Sequence, residues 1–436
     1  MMTDRIRGYL ARAHPAVFSL VAGGAGFCTY FAMYAFRKPF TAATFVDVPG
    51  WHFAIDYKVA LIIAQVAGYA LSKMIGVKVV SEISPHRRAA GILALIFVSW
   101  LALVAFALIP APWNVLALFV NGMPLGMIWG LVYGYMEGRR VSEVLASMMC
   151  ASFILSSGVV KSVGTWLMLD WHVDRFWMPA ATGALFAPLL LGAVWVLGVL
   201  PPPSARDEAE RVHRAPMTGA ERSRFLRDHA PGLAAIVFAY VLLTAFRDFR
   251  DNFAAEIWAA LGHGGEPGVF SASELPVAVL ALIGMGAVIV VRDNQRALMV
   301  IHGMVGGGFA LLGLSTLAFQ AHWISPLVWM ILAGSGLYIA YNPINAVLFD
   351  RMVAASGRVA NAGFLIYVAD SFGYMGSVAL LLWRNFGTAS LNWLQFFIAG
   401  AYVTSVVGGG ATLLAALYFH RRAPRAAPPS GAGHAV

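Results

Sequence analysis

Residues 89–109 read AAGILALIFVSWLALVAFALI, a run without one charged side chain. A helix needs about 20 apolar residues to cross the hydrocarbon core of a bilayer, whereas a surface helix of a soluble protein keeps a polar face. The run begins just after Arg87-Arg88 and stops at Pro110, so its ends are marked. Read outward from it, the pattern recurs. Spans are expected at 16–46, 57–81, 89–109, 113–136, 144–168 and 176–199, then at 230–258, 273–291, 298–320, 325–350, 360–384 and 392–419. Composition agrees: 60% of the 436 residues are hydrophobic and 12% charged, against roughly 25% charged in soluble domains. The expected fold class is an all-α polytopic membrane protein with twelve transmembrane helices in two pseudo-symmetric six-helix halves. The halves are 1–199 and 230–419. A cytoplasmic linker, 200–229, joins them, and a disordered cytoplasmic tail, 420–436, follows.

Most of the 30 Lys and Arg residues fall on the segments that lie inside if the N-terminus is cytoplasmic, among them Arg87-Arg88, Arg139-Arg140, Arg292, Arg296, Arg351, Arg358 and Arg421-Arg422. By the positive-inside rule both termini are then cytoplasmic, and the expected location is the cell's inner (plasma) membrane. Trp51, Trp113, Trp171, Trp177, Trp258, Trp323, Trp383 and Trp393 fall near outer ends, as an interfacial belt would. The net charge of +9 is thereby read as an orientation signal and not as nucleic-acid binding. Arg5, Arg7 and Arg12 ahead of the first span are read as the flank of an uncleaved helix rather than of a signal peptide. The linker opens on Pro201-Pro202-Pro203. Thr218-Gly219-Ala220-Glu221 fits a capping box that would start a short surface helix; otherwise the segment is a solvated connection. Cys28 and Cys150, both inside spans, give neither a disulfide framework nor a metal cluster.

Charges inside spans are costly, about 2.5–3.5 kcal/mol each at the bilayer centre on insertion scales, and they mark cavities or partners. The first span carries Arg37 and Lys38, the second Lys73, the fifth Lys161. The seventh carries Arg247, Asp248, Arg250 and Asp251, and the eleventh Asp370. Arg37 and Arg247 lie at similar depth on the first helices of the two halves. A pseudo-two-fold axis would bring them to facing walls; the alternative for Arg37, about 30 Å along an upright helix, is a place near the outer surface from which it snorkels. Two guanidinium forks suit a phosphate or carboxylate. Lys38, about 100° further round the helix, is expected to point away. Arg247 and Asp251, four residues apart, would pair along their helix, while Asp248 and Arg250 would reach neighbouring helices, so that one arginine there serves structure. Lys161 and Lys73 are weighed between cavity and interface. Asp370 is open between a proton-carrying acid, a partner of Arg247 or Arg250, and a packed polar residue.

Tyr30-x-x-x-Tyr34-x-x-Arg37-Lys38-x-Phe40 resembles the first helix of the organophosphate:phosphate antiporters of the major facilitator superfamily, the glycerol-3-phosphate and glucose-6-phosphate transporter group. Tyr69-Ala70-Leu71-Ser72-Lys73 is similar to its second helix, Asn121-Gly122 with Gly126-Met127-x-Trp129 to its fourth, and Gly373-Tyr374-Met375-Gly376 to its eleventh. The resemblance implies the major facilitator fold. It also implies a substrate phosphate held by Arg37 and Arg247, with Tyr30, Tyr34, Tyr69 and Lys73 nearby, and exchange by rocking of the two halves. The sequence departs from the family at Pro39, where a polar residue is usual. It departs again near Ser152, where some members have a histidine, and in the loop Ser81–Arg88.

The leading expectation is a secondary active transporter of a small anionic solute. Substrate-binding candidates are Arg37, Arg247, Tyr30, Tyr34, Tyr69, Lys73, Lys161 and Arg250; Asp370 and Asp251 are candidates for proton coupling or charge pairing. Proton-coupled symport using Asp370 is one alternative, and a non-transporting anion sensor another. No phosphate-binding Gly-x-x-x-x-Gly-Lys-Ser/Thr loop and no His-Glu-x-x-His occurs, so neither ATP drive within the chain nor a zinc enzyme is expected. No cofactor, metal or nucleic acid is expected, and the expected state is a monomer in membrane lipid.

Overall fold

In a bilayer no water is present to satisfy a backbone N–H or C=O, so an apolar run must close its hydrogen bonds within itself and fold as helix. The computed structural model describes residues 2–136, 142–202, 219–356, 362–388 and 390–422, with no strand among them. The helices are α1 (Met2–Arg12), α2 (Pro15–Tyr34), α3 (Tyr57–Glu82), α4 (Arg88–Leu108), α5 (Asn114–Tyr133), α6 (Ser142–Leu169) and α7 (Met178–Val199). They continue as α8 (Gly219–Asn252), α9 (Ala254–Ala260), α10 (Gly268–Ile289), α11 (Asn294–Gln320), α12 (Pro326–Pro343), α13 (Phe349–Ser356), α14 (Ala362–Leu382) and α15 (Trp393–Arg421). Twelve spans are long and apolar enough to cross a membrane, α12 running through a π-helical turn into α13 to make one of them.

The helix pairing repeats. In the first half α3 packs on α5, α4 on α5 and α7, and α2 on α6 and α7. In the second, α10 packs on α12, α11 on α12 and α15, and α8 on α14 and α15. These are the same five pairings shifted by six spans, as an internal two-fold repeat requires. Between the halves α6 packs on α10, and α3 meets α14, which are again symmetry-related pairs.

Three boundaries differ from the sequence expectation, and one difference matters for function. The first span ends as α-helix at Tyr34; the chain then turns and resumes as a 3-10 helix over Pro39–Ala42. Pro39 has no N–H to continue the ladder and disfavours helical backbone at the residue before it. Arg37 and Lys38 therefore sit in a turn, not on a helix face. The seventh span likewise breaks at Phe253, between α8 and α9. The Phe253 ring anchors that break by stacking on Trp393, centroids 4.1 Å apart. Residues from Gly219 on, expected in the linker, belong to α8. The rest of the linker from 203 to 218, with the Thr218 cap, and the tail from 423 lie outside the described residues.

The turn at Arg37 frees carbonyls that a helix would have satisfied, and the neighbouring helices supply donors. Asn121 Nδ2 donates to Phe36 O at 2.9 Å, and Gln65 Nε2 donates to Arg37 O at 2.9 Å. Gln65 Nε2 also reaches Asn121 Oδ1 at 2.7 Å. This support needs α3 and α5 in near backbone contact. A Cβ at Gly122 would run into the Gln65 carbonyl oxygen, and one at Gly68 into that of Phe119. Gly122→Val is expected to lower the unfolding midpoint, at a cost of about 1–3 kcal/mol, and to disturb the turn at Arg37. Gly24→Val, where a Cβ meets open space, should leave both unchanged. Thermal unfolding of the two purified variants decides it, and equal midpoints would remove the glycine contact from the account.

Candidate functional site

Arg37 leaves its turn among tyrosines. Its guanidinium carbon lies 4.1 Å from the centroid of the Tyr69 ring and 5.7 Å from that of Tyr34. Tyr30 packs on Tyr34 and on Trp129 of α5, centroids 5.6 and 5.0 Å apart. No carboxylate pairs with Arg37 among the described residues, and its buried Nε has no hydrogen-bond partner there. The second half builds the mirror arrangement. The Arg247 guanidinium carbon lies 3.9 Å from the Tyr341 centroid and 5.9 Å from that of Tyr338. Aromatic faces attract cations without neutralising them, so the tyrosines do not cancel the charge of Arg37.

Arg247 pairs with its neighbour Asp248, Nη2 to Oδ1 2.8 Å, and not with Asp251 as the four-residue spacing suggested. Asp248 also accepts from Ser377 Oγ at 2.9 Å. Asp251 instead crosses to the first half, where Lys38, Lys161 and Ser157 all bond its carboxylate. Lys38 Nζ further donates to Asn252 Oδ1 at 2.8 Å. Lys38 thus reaches across the interface rather than away from it: the helix-face argument lapses once α2 has ended at Tyr34. Lys161 is almost wholly buried in this cluster. Beside it Lys58 forms a forked pair with Glu256, 2.6 and 2.8 Å, and donates to Thr41 O at 2.8 Å.

Asp370 pairs with Lys73, Nζ to Oδ2 2.7 Å, a partner outside the three sequence readings. Tyr240 Oη donates to its other oxygen at 2.6 Å, and Asn345 Nδ2 lies 3.4 Å from the same atom. Lys73 also lies 5.1 Å from the Tyr374 centroid and 5.6 Å from that of Tyr69. Lys73 and Asp370 come from opposite halves, so this pair too spans the interface. Arg250 stands apart from these groups. It is buried in the second half, with Nη1 on Glu274 Oε1 at 2.7 Å and Nη2 on Met330 O at 3.0 Å, and it differs in this from the substrate-binding expectation. Counted together, these clusters hold seven cations and five carboxylates. Among the described residues Arg37 has no carboxylate partner, and Lys38 and Lys161 share one. No group of three metal-ligating side chains occurs among the described residues.

Tyr240, Tyr341, Tyr338 and Tyr374 join the site without having been expected there, and for two of them the sequence carries a signal. Residues 30–37 read YFAMYAFR and 240–247 read YVLLTAFR. A tyrosine followed by Ala-Phe-Arg at the same spacing is repeated on the first helix of each half. Tyr240 stacks on Tyr341 at 5.1 Å, so the repeat leads to both.

A family model described as "Family of unknown function (DUF5690)" matches residues 39–422. No curated protein matches the chain. Solved structures do. The xylose transporter XylE from E. coli, in a partially occluded inward open conformation, superimposes with a TM-score of 0.58 at 14% identity, covering 93% of this chain and 97% of that one. A mutant of the peptide transporter POT in complex with sulfate gives 0.59 at 13%, covering 95% and 99%. A mutant of the nucleoside transporter NupG gives 0.57 at 12%, covering 92% and 99%. At such identities the likeness shows the fold: a multi-pass membrane protein with the major facilitator architecture.

Proposed function

The chain belongs to the family of unknown function DUF5690, and we propose that it is a secondary active transporter of a small anion. The reading rests above all on Arg37, a guanidinium with no carboxylate partner among the described residues, its buried Nε without a hydrogen bond and its charge held against the Tyr69 ring; Arg247, against Tyr341, is its counterpart in the second half. Arg37 without a carboxylate, and two lysines that share Asp251, leave a positive excess that favours an anion such as a phosphate ester, because burial strengthens every charge–charge term. The resemblance to organophosphate:phosphate antiporters points to the same class. Transport then proceeds by rocking of the halves about a central site, with both termini cytoplasmic in an inner membrane. The structurally similar proteins are transporters of xylose, peptide and nucleoside. The common architecture supports a transported solute, while the arginines set its charge.

Proton-coupled symport keeps one observation in its favour: Asp370 and Lys73 form an ion pair across the halves, and protonation of Asp370 would break it. One assay separates the readings. Proteoliposomes loaded with a phosphorylated metabolite and given a labelled one outside should show counterflow that needs the trans anion and no pH gradient. Uptake driven by an imposed pH gradient and lost in Asp370→Asn would replace exchange with symport. Anion binding without flux under either gradient would make the protein a sensor.

A further inference from the structure

The two seams between the halves are symmetry-related, yet they are packed differently. At the α6–α10 seam the helices touch: a Cβ at Gly158 would lie 2.7 Å from the Phe270 carbonyl oxygen, and the Ser162 and Ser271 hydroxyls bond at 2.7 Å. At the α3–α14 seam a groove of about 330 Å³ remains, at the lower end of ligand-pocket sizes of about 300–1,000 Å³. Small side chains make it: Ala67, Ala70 and Ala379 leave a channel that Val66, Val378 and Met375 complete. Ala67, Met375 and Ala379 are exposed, so the groove opens to the outside of the bundle.

Its inner end is Tyr374. Behind that ring lie Lys73 at 5.1 Å and the Tyr69 ring at 5.9 Å, and Tyr69 carries Arg37. Val66 and Val378 also line the small pocket that holds Asp248, Asn252 and Ser377. Across the Tyr374 ring the surroundings change from hydrocarbon to the Lys73–Asp370 pair, and beyond the Tyr69 ring to Arg37. A wholly polar solute matches only half of such a path. We propose that the groove holds the hydrocarbon chain of an amphipathic anion whose head lies at Arg37 and Arg247, so that the substrate class is a single-chain alkyl or acyl phosphate. This rests on the two-arginine reading given above and adds the chain to it. The charged head meets the cations, the chain leaves through the α3–α14 seam, and the closed α6–α10 seam offers no second exit.

The test is affinity against chain length. Wild-type protein in nanodiscs is titrated with inorganic phosphate and with n-alkyl phosphates from ethyl to decyl. The expected affinity gain is about fourfold per added methylene, the transfer free energy of one CH₂, up to a plateau where the groove is full. Ala379→Trp, and Ala67→Phe as an independent second variant, place bulk in the groove from its exposed side. Each should flatten the slope and leave inorganic phosphate binding unchanged. A wild-type series with no slope overturns the inference and leaves the two-arginine reading standing. An equal slope in both groove variants, or the same slope with neutral n-alkanols, also overturns it, because the chain is then partitioning into lipid or the groove serves a bilayer acyl chain. Phosphate binding that survives Arg37→Ala and Arg247→Ala overturns the underlying reading instead.

Discussion

Arg37→Ala is expected to weaken anion binding by about a hundredfold to a thousandfold while leaving the unfolding midpoint unchanged or raised. The size follows from the hydrogen bonds that the guanidinium would give a bound anion. Each hydrogen bond to a charged group contributes about 1.5–3 kcal/mol, and a guanidinium offers two to one phosphate, so roughly 3–6 kcal/mol is at stake; water takes up part of the loss, and the lower end of that range sets the expected factor. Stability should not suffer, because within the protein Arg37 serves no carboxylate: its side chain lies against the faces of Tyr69 and Tyr34. Removing an uncompensated cation from a site that holds a positive excess relieves repulsion. Arg247→Ala should weaken binding to a similar degree and differ in the second property. Asp248 would keep Ser377 as donor and be left without its cation, and a half-buried carboxylate stripped of its partner costs about 1–3 kcal/mol. Its midpoint should fall, and Asp248→Asn on the same background should restore it. Arg37→Lys should recover little, since an ammonium cannot form the fork. Titration calorimetry with a phosphate ester, paired with thermal unfolding, reads both properties. Wild-type affinity in both alanine variants would end the two-arginine account.

What could be read in advance divides along a physical line. The twelve spans were legible because lipid imposes a length and a composition on each helix separately, so residues 89–109 announce themselves without reference to any other residue. The break after Tyr34 was hidden because it lies in an apolar run that continues to residue 46, and only Pro39 marked it. That one break reversed the reading of Lys38. Partner choice was hidden for a different reason. Arg247 and Arg250 are three residues apart on α8 and equal in type; Glu274, on another helix, is what draws Arg250 into the wall. Asp251 meets Lys161 across 90 residues of chain and Asp370 meets Lys73 across 297. Local spacing, which favoured Arg247 with Asp251, carries no information about such pairs. The repeat YFAMYAFR and YVLLTAFR is the exception. It is a local signal of a global symmetry, and it points to Tyr240 as well as to the arginines.

Asp251→Asn is the substitution expected to change the conformation most. Two lysines of the first half, Lys38 and Lys161, converge on this one carboxylate of the second, and both are buried there. The Lys58–Glu256 pair beside it ties the same end of the molecule together. Taking one partner from a buried ion pair costs about 3–5 kcal/mol, because the remaining charge is left without water or counterion. Here two ammonium groups are left. The molecule can recover that cost by parting the halves at this end and letting water reach both lysines. A bias of even about 3 kcal/mol moves a two-state equilibrium by roughly a hundredfold. The measurement uses a chain without its native thiols (Cys28→Ala, Cys150→Ala) that carries Ser271→Cys at the α6–α10 seam, where Ser271 meets Ser162. In nanodiscs, maleimide labelling of that thiol should accelerate by about a hundredfold on Asp251→Asn. Asp251→Glu should keep the slow rate. Adding Lys38→Met and Lys161→Met to Asp251→Asn should return it toward the slow rate, since no buried charge then remains to be hydrated. An unchanged rate in Asp251→Asn would mean that apolar packing along α6 and α10 holds this end shut and that the three-charge cluster only decorates it. A fast rate that persists in the triple variant would assign the effect to missing hydrogen bonds rather than to exposed charge.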